Sequence, residues 1–230
     1  MLLNSKLLSE ALSWATTETQ SPGAKPDFSM KSEIRGPYHY IYHTRRALRE
    51  KLDLMDDGHQ MVLGILLEYV EQSFQASYQE ANSLFSQGLV SFKSLHYLFE
   101  PEMNIVHQSG SDTLAYRTKC WLENMTDPKT GKDVGILRCW SWQFDGTFRK
   151  RLRKFTVDWP GSPREIIPIK RLCVYPLIYG GPELEEQLFR QGEKFWNCKN
   201  RVYVSYDNEE LFGDPVQVMC DLFNNRDSAN

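Results

Sequence analysis

The sequence predicts an α+β fold: N-terminal helices followed by a strongly bent antiparallel sheet or partial barrel, with one inserted helix. Three observations predict it. Apolar residues recur at helical spacing as far as Gly88, strand-like runs joined by turn residues follow, and Gly180-Gly181-Pro182 opens a short amphipathic segment among those runs.

Taken in order, residues 2–15 carry Leu3, Leu7, Leu8, Ala11 and Leu12 at the spacing of a short helix. "TTETQSPGAKPDFSMKSE" is polar and broken by Pro22, Gly23 and Pro26, which predicts a linker. Residues 1–32 are thus expected to be an N-terminal segment with a flexible linker, 33–223 a single domain, and 224–230 a disordered tail. A short extended piece ends at Pro37 and a helix follows it. The longest helical pattern begins near Asp56, with Met61, Ile65, Tyr69, Val70, Phe74, Tyr78 and Leu84 on its apolar stripe and Gly88 as its stop. After Gly88, "LAYRTKCWLENM" and "VGILRCWSWQF" form a hairpin through the turn-rich "TDPKTGKD". A second hairpin follows through Asp145-Gly146, a pair suited to a two-residue type I′ turn. "TFRKRLRKFTVDW", "REIIPIKRLCVYPLI" and "RVYVSYD" read as the remaining strands.

Composition excludes several classes. The 230 residues are 41% hydrophobic and 25% charged, enough for a packed globular core. A net charge of −3 gives no general pull toward nucleic acid or anionic membranes. Cys120, Cys139, Cys173, Cys198 and Cys220 are odd in number with no CxxC pair, which predicts reduced thiols in an intracellular compartment, cytoplasmic or nuclear. Polar residues from Asn4 to Glu10 interrupt the N-terminus, so no signal-peptide stretch is read there. No run approaches the roughly 18 to 20 apolar residues of a membrane span, and no membrane partner is expected.

Chemistry-bearing motifs are sparse. Thr130-Gly131-Lys132 lacks the upstream glycine of a phosphate loop, and Asp133 stands where the magnesium-binding hydroxyl belongs. His39 and His43 are one helical turn apart, but Tyr40 stands where a hydrolytic zinc site needs a Glu, and a third ligand would have to come from His59, His96 or His107. Packing on an aromatic face is the favoured reading. No nucleophile elbow or cysteine-protease context occurs. No catalytic residue, metal or cofactor is expected.

The strongest charge feature is "FRKRLRKF", in which Arg149, Lys150, Arg151, Arg153 and Lys154 are basic. On a strand, Arg149, Arg151 and Arg153 share one face with Phe155, Val157 and Trp159; Phe148, Lys150, Leu152 and Lys154 share the other. Neither face is uniformly basic, so a single polyanion track is poorly organised. A solvated edge that discourages aggregation is the first reading. The second is a nucleic-acid surface over residues 148–159 with Trp140, Trp142 or Trp159. In "PELEEQLFRQGEKFW", Pro182 and the acids after it suit a helix start, and Leu184, Leu188 and Phe189 give an apolar stripe. Glu186 and Arg190 are spaced as a surface pair, and Gly192 is read as the helix stop. Glu186 and Lys194 need no acid–base role.

"SFKSLHYLFEPEMNIV", "IKRLCVYPLIYGGPELEEQLFRQGEKFWNCKNRVYVSY" and "VQVMCDLF" resemble the domain of unknown function in the N-terminal half of large fungal AAA-type ATPases. The resemblance runs from Glu33 to Phe223. That family pattern has a Gly where Glu102 stands, an Arg at Gln191, a Gly at Asn208 and an Arg at Gln217. The chain carries no Walker motif. The resemblance implies a non-catalytic recognition or regulatory module whose protein partner is an AAA-type ATPase or its clients. It points to Tyr175, Pro176, Arg190, Gly192, Lys194, Phe195 and Tyr206 as binding positions.

Overall fold

The computed structural model describes residues 3–16, 26–34, 36, 38–109, 112–126, 133–145, 147–197, 203–206 and 216–219. Three helices come first: α1 (Lys6–Ala15), α2 (His39–Leu52) and α3 (Asp57–Ser86). Ser5 caps α1 by accepting the Leu8 amide, and Asp56 caps α3 through the His59 amide. Gly88 ends α3 with φ +69°, and its amide donates to the Phe85 carbonyl. The helices share one core, in which Leu3, Ala11, Leu12 and Phe28 are buried with Ile41, Leu48, Leu63 and Tyr78. Residues before the boundary expected at 33 therefore pack with those after it; residues 17–25 and 220–230 lie outside the described part.

The apolar stripe of α3 agrees with the expected one at Val70, Tyr78 and Leu84 and departs from it toward the N-terminus. Met61, Ile65 and Tyr69 are exposed, whereas Leu63, Leu66, Leu67, Val70, Tyr78, Ala81 and Leu84 are buried. The helix is apolar over much of its N-terminal half, so spacing alone admits two stripes. Packing against α1 and α2 selects the one that lies between them.

The second layer is built of strands, all paired antiparallel. β1 (Leu89–Ser91) pairs with β7 (Ile166–Pro168), and between β1 and the main sheet lies the short helix α4 (Leu95–Leu98). The main sheet contains β2 (Asn104–Ser109), β3 (Asp112–Thr118), β4 (Glu123–Thr126), β5 (Asp133–Phe144), β6 (Phe148–Val157) and β8 (Val174–Pro176). Helix α5 (Pro182–Asn197) follows β8, and β9 (Tyr203–Tyr206) pairs with β10 (Val216–Met219).

β5 organises this sheet. One edge pairs with β4 through residues 133–136 and with β3 through Cys139 and Trp140; the other pairs with β6 along 135–144. The expected strand 114–125 is thus two strands, broken at 119–122. Trp121 turns there onto the helical core and Leu122 into the sheet core. The sheet also curls on itself. His107 of β2 stacks on Phe155 of β6 at 4.5 Å and Tyr116 of β3 meets the same ring at 4.8 Å. The Cys173 thiol, just before β8, donates to the Thr156 carbonyl at 3.4 Å. The result is the expected α+β fold with a strongly bent sheet.

A buried threonine latches the turn between α4 and β2. The Thr118 hydroxyl donates to the Glu100 carbonyl at 2.6 Å and accepts the Met103 amide at 2.8 Å. Glu102 sits in that turn at φ +62°, where glycine would be unstrained, and its carboxylate pairs with Arg117 at 2.8 Å. Glu102→Ala removes the ion pair but keeps the left-handed backbone cost, whereas Glu102→Gly removes both. The Gly variant is expected to be more stable than the Ala variant by about 1 kcal/mol, read from the difference in urea midpoints.

Candidate interaction surface

Because β5 and β6 outrun β3 and β4, their far ends pair only with each other. Register places Trp140 opposite Leu152, Trp142 opposite Lys150 and Phe144 opposite Phe148, all on one face. The connection is Asp145–Thr147, three residues in place of the two-residue turn expected at Asp145-Gly146, and Gly146 itself lies outside the described residues.

The aromatic face holds two groups of touching rings. Trp140 and Trp142 meet edge to face at 5.6 Å, and the Lys150 ammonium lies 4.1 Å from the Trp140 ring centre and 5.6 Å from that of Trp142. Phe144 and Phe148 are 4.8 Å apart. Phe148 then stacks on Trp196 at 4.7 Å and touches Phe195 at 5.5 Å, so the end of α5 braces the hairpin. Much of this face meets solvent: Trp142 is 50% exposed and Leu152 62%. The reverse face carries the arginines. Arg149 donates to Thr147 and pairs with Asp145 at 3.7 Å, and Arg151 donates to the Gln143 side-chain oxygen at 3.2 Å. Among the described residues, Lys150, Arg151, Arg153 and Lys154 have no carboxylate within ion-pair distance.

The expected binding positions divide. Tyr175 and Pro176 are buried in β8; Tyr175 is 1% exposed and its hydroxyl accepts from the Gln108 side-chain amide at 3.1 Å. Both lie in the sheet interior. Arg190, Gly192, Lys194 and Phe195 lie on α5, where Arg190 pairs with Glu186. Only Phe195 reaches the hairpin. Tyr206 lies in β9 opposite Val216, and its side chain is outside the described part. Gly192 does not stop the helix, which continues to Asn197. Packing of Phe195 and Trp196 on Phe148 rewards the added turn and offsets the cost of a mid-helix glycine. Trp159 is not part of this face, since its indole donates to the Ser162 carbonyl and its ring meets Phe92. Trp196 was missed by sequence reasoning. Its signal was a Phe-Trp pair past the expected helix stop.

A second cluster lies between the layers. His39 on α2 meets His96 on α4 at 4.8 Å, and His43 lies one turn along α2. Tyr97 and Trp121 wall the cluster. The Nε2 atoms of all three imidazoles are buried without a hydrogen-bond partner, while His43 Nδ1 lies 3.2 Å from the Glu100 carboxylate. Burial pushes His39 and His96 down from an ordinary value near 6.5 to about 4, and for His39 the neighbouring His96 and His43 add to the shift. Among the described residues no group of His, Cys, Asp or Glu is arranged to hold a metal ion. Cys139 is buried in the sheet core and its thiol is pushed up to about 12 by burial, so it stays protonated at neutral pH. No helix among the described residues is long and apolar enough to cross a membrane.

Residues 80–180 match a family described as a domain of unknown function, DUF7025. The match covers under half of the chain and runs from the end of α3 through β8, stopping before α5. It includes the hairpin, His96 and the Glu102 turn. No curated protein and no solved structure matches the chain.

Two outcomes follow from this geometry. A Cβ on Gly192 would meet nothing within 4 Å, so Gly192→Ala is expected to stabilise α5 by up to about 1 kcal/mol, measured as slower amide exchange across the helix. The histidines set a pH dependence. The unfolded chain protonates His39 and His96 near pH 6.5, whereas the folded chain holds them neutral down to about 4. Stability is therefore expected to fall as pH drops through that interval, with uptake of nearly two protons on unfolding near its middle, measured by denaturant titrations across pH.

Proposed function

We propose that this chain is a non-catalytic recognition module that docks a protein partner on the β5–β6 hairpin, and that the partner is an AAA-type ATPase or one of its clients. The observation that carries the reading is one hairpin face bearing Trp140 and Trp142 at one end and Phe148, braced by Phe195 and Trp196, at the other, half open to solvent with Lys150 over the tryptophans. A contiguous exposed apolar patch with a polar rim is the usual mark of a protein interface. Aromatic anchors on a rigid strand pair also lose little conformational freedom on docking. The choice of an ATPase as partner rests on the motif resemblance alone.

Lys150 against Trp140 and Trp142 favours a second reading, a single-stranded nucleic acid stacked on the same face. Charge separates the two, because a nucleic-acid complex loses affinity steeply with salt.

Affinity purification with the whole chain is expected to recover an AAA-type ATPase, and Trp142→Ala combined with Leu152→Asp is expected to cut that recovery by roughly tenfold or more while the melting temperature stays within a few degrees. Recovery of only general chaperones, or equal recovery by the variant, sinks the proposal.

A further inference from the structure

Among the described residues, the outer edge of β6 is open. All ten residues of the strand pair with β5 on one side, and no described strand pairs with the other. Both ends of that edge are covered. The Cys173 thiol reaches the Thr156 carbonyl, and Phe195 and Trp196 pack on Phe148. Between them residues 149–154 are all exposed, and five of those six side chains are basic. Such an edge is a template for another strand.

Charge selects the occupant. A second copy pairing antiparallel along the same edge would set basic residues against basic residues on both faces, and like charges directly opposite oppose pairing. A nucleic-acid strand lies along one face, so it would meet either Arg149, Arg151 and Arg153 or Lys150 and Lys154, never all five. A peptide added in the plane of the sheet sends its side chains alternately to both faces and meets every one of them. We propose that β6 accepts an extended acidic segment of a partner protein as an additional strand. Asp or Glu at every second position lies beside Arg149, Arg151 and Arg153, and acidic or apolar residues lie beside Lys150, Leu152 and Lys154. Main-chain hydrogen bonds to the edge supply affinity and the alternating charge supplies register. The inference rests on the recognition reading above and names the chemistry of the partner.

The test is binding of the whole chain to a library of peptides about nine residues long, acidic at alternate positions and varied between, followed by fluorescence anisotropy. Binders are expected, with amide exchange slowed across residues 149–154 in the complex. N-methylation of alternate peptide amides is expected to weaken binding by roughly tenfold or more at unchanged charge. The triple variant Arg149→Glu, Arg151→Glu, Arg153→Glu is expected to lose binding by a similar factor, while Arg149→Lys, Arg151→Lys, Arg153→Lys retains it within a few fold. Absence of any binder overturns the proposal. So does an N-methylated peptide that binds as well as its parent, an outcome that leaves the recognition reading intact. An oligothymidylate of about 20 nucleotides that displaces the peptides and binds more tightly overturns both. Loss of ATPase recovery with peptide binding retained removes only the choice of partner.

Discussion

The sheet depends on the pairing of β5. Its twelve residues hold β4 and β3 on one edge and β6 on the other, so the layer has no continuous spine without it. In the buried half of the strand, Leu137 and Cys139 lie in the sheet core and Ile136 is buried as well. The other half continues beyond its neighbours and carries the aromatic face. One strand thus anchors the core and presents the candidate surface, which makes that surface rigid where a loop would not be. The brace from α5 onto Phe148 holds the free end of the same hairpin.

A different economy governs the junction between helices and sheet. Trp121 sits at the break between β3 and β4 and packs on the helical core, while Leu122 beside it enters the sheet core. Phe85, near the end of α3, touches both cores. Into this junction the chain buries His39, His43 and His96 with their Nε2 atoms unsatisfied, which costs desolvation energy that an apolar side chain would not. Edge and tilted ring contacts with Tyr97 and Trp121 offset part of that cost. The aromatic packing read for the His39 and His43 pair is the arrangement found, with His96 joining from α4.

Legibility in the sequence followed the range of the interactions involved. Gly88 as the stop of α3, Pro182 at the start of α5 and the hairpin from β5 to β6 were all readable, because caps, turns and alternation act within a few residues. The failures share a cause. The exposed stripe of Met61, Ile65 and Tyr69 has the same spacing as the buried one, and only α1 and α2 decide between them. Gly192 has the local chemistry of a helix stop, yet ring contacts over forty residues distant in sequence carry the helix past it. A separate case is Tyr175 and Pro176, positions marked by the resemblance, which are buried in β8.

The sequence by itself determined the order of helices and strands, the positions of several turns, and the alternation that parts Arg149, Arg151 and Arg153 from Lys150 and Lys154, since each of these depends on backbone geometry and near neighbours. Only the tertiary structure decided which apolar stripe is inside, that three separate histidines meet, and that the aromatic hairpin and the end of α5 form one surface. Those outcomes are set by contacts between distant segments, and no local period encodes which segments will meet.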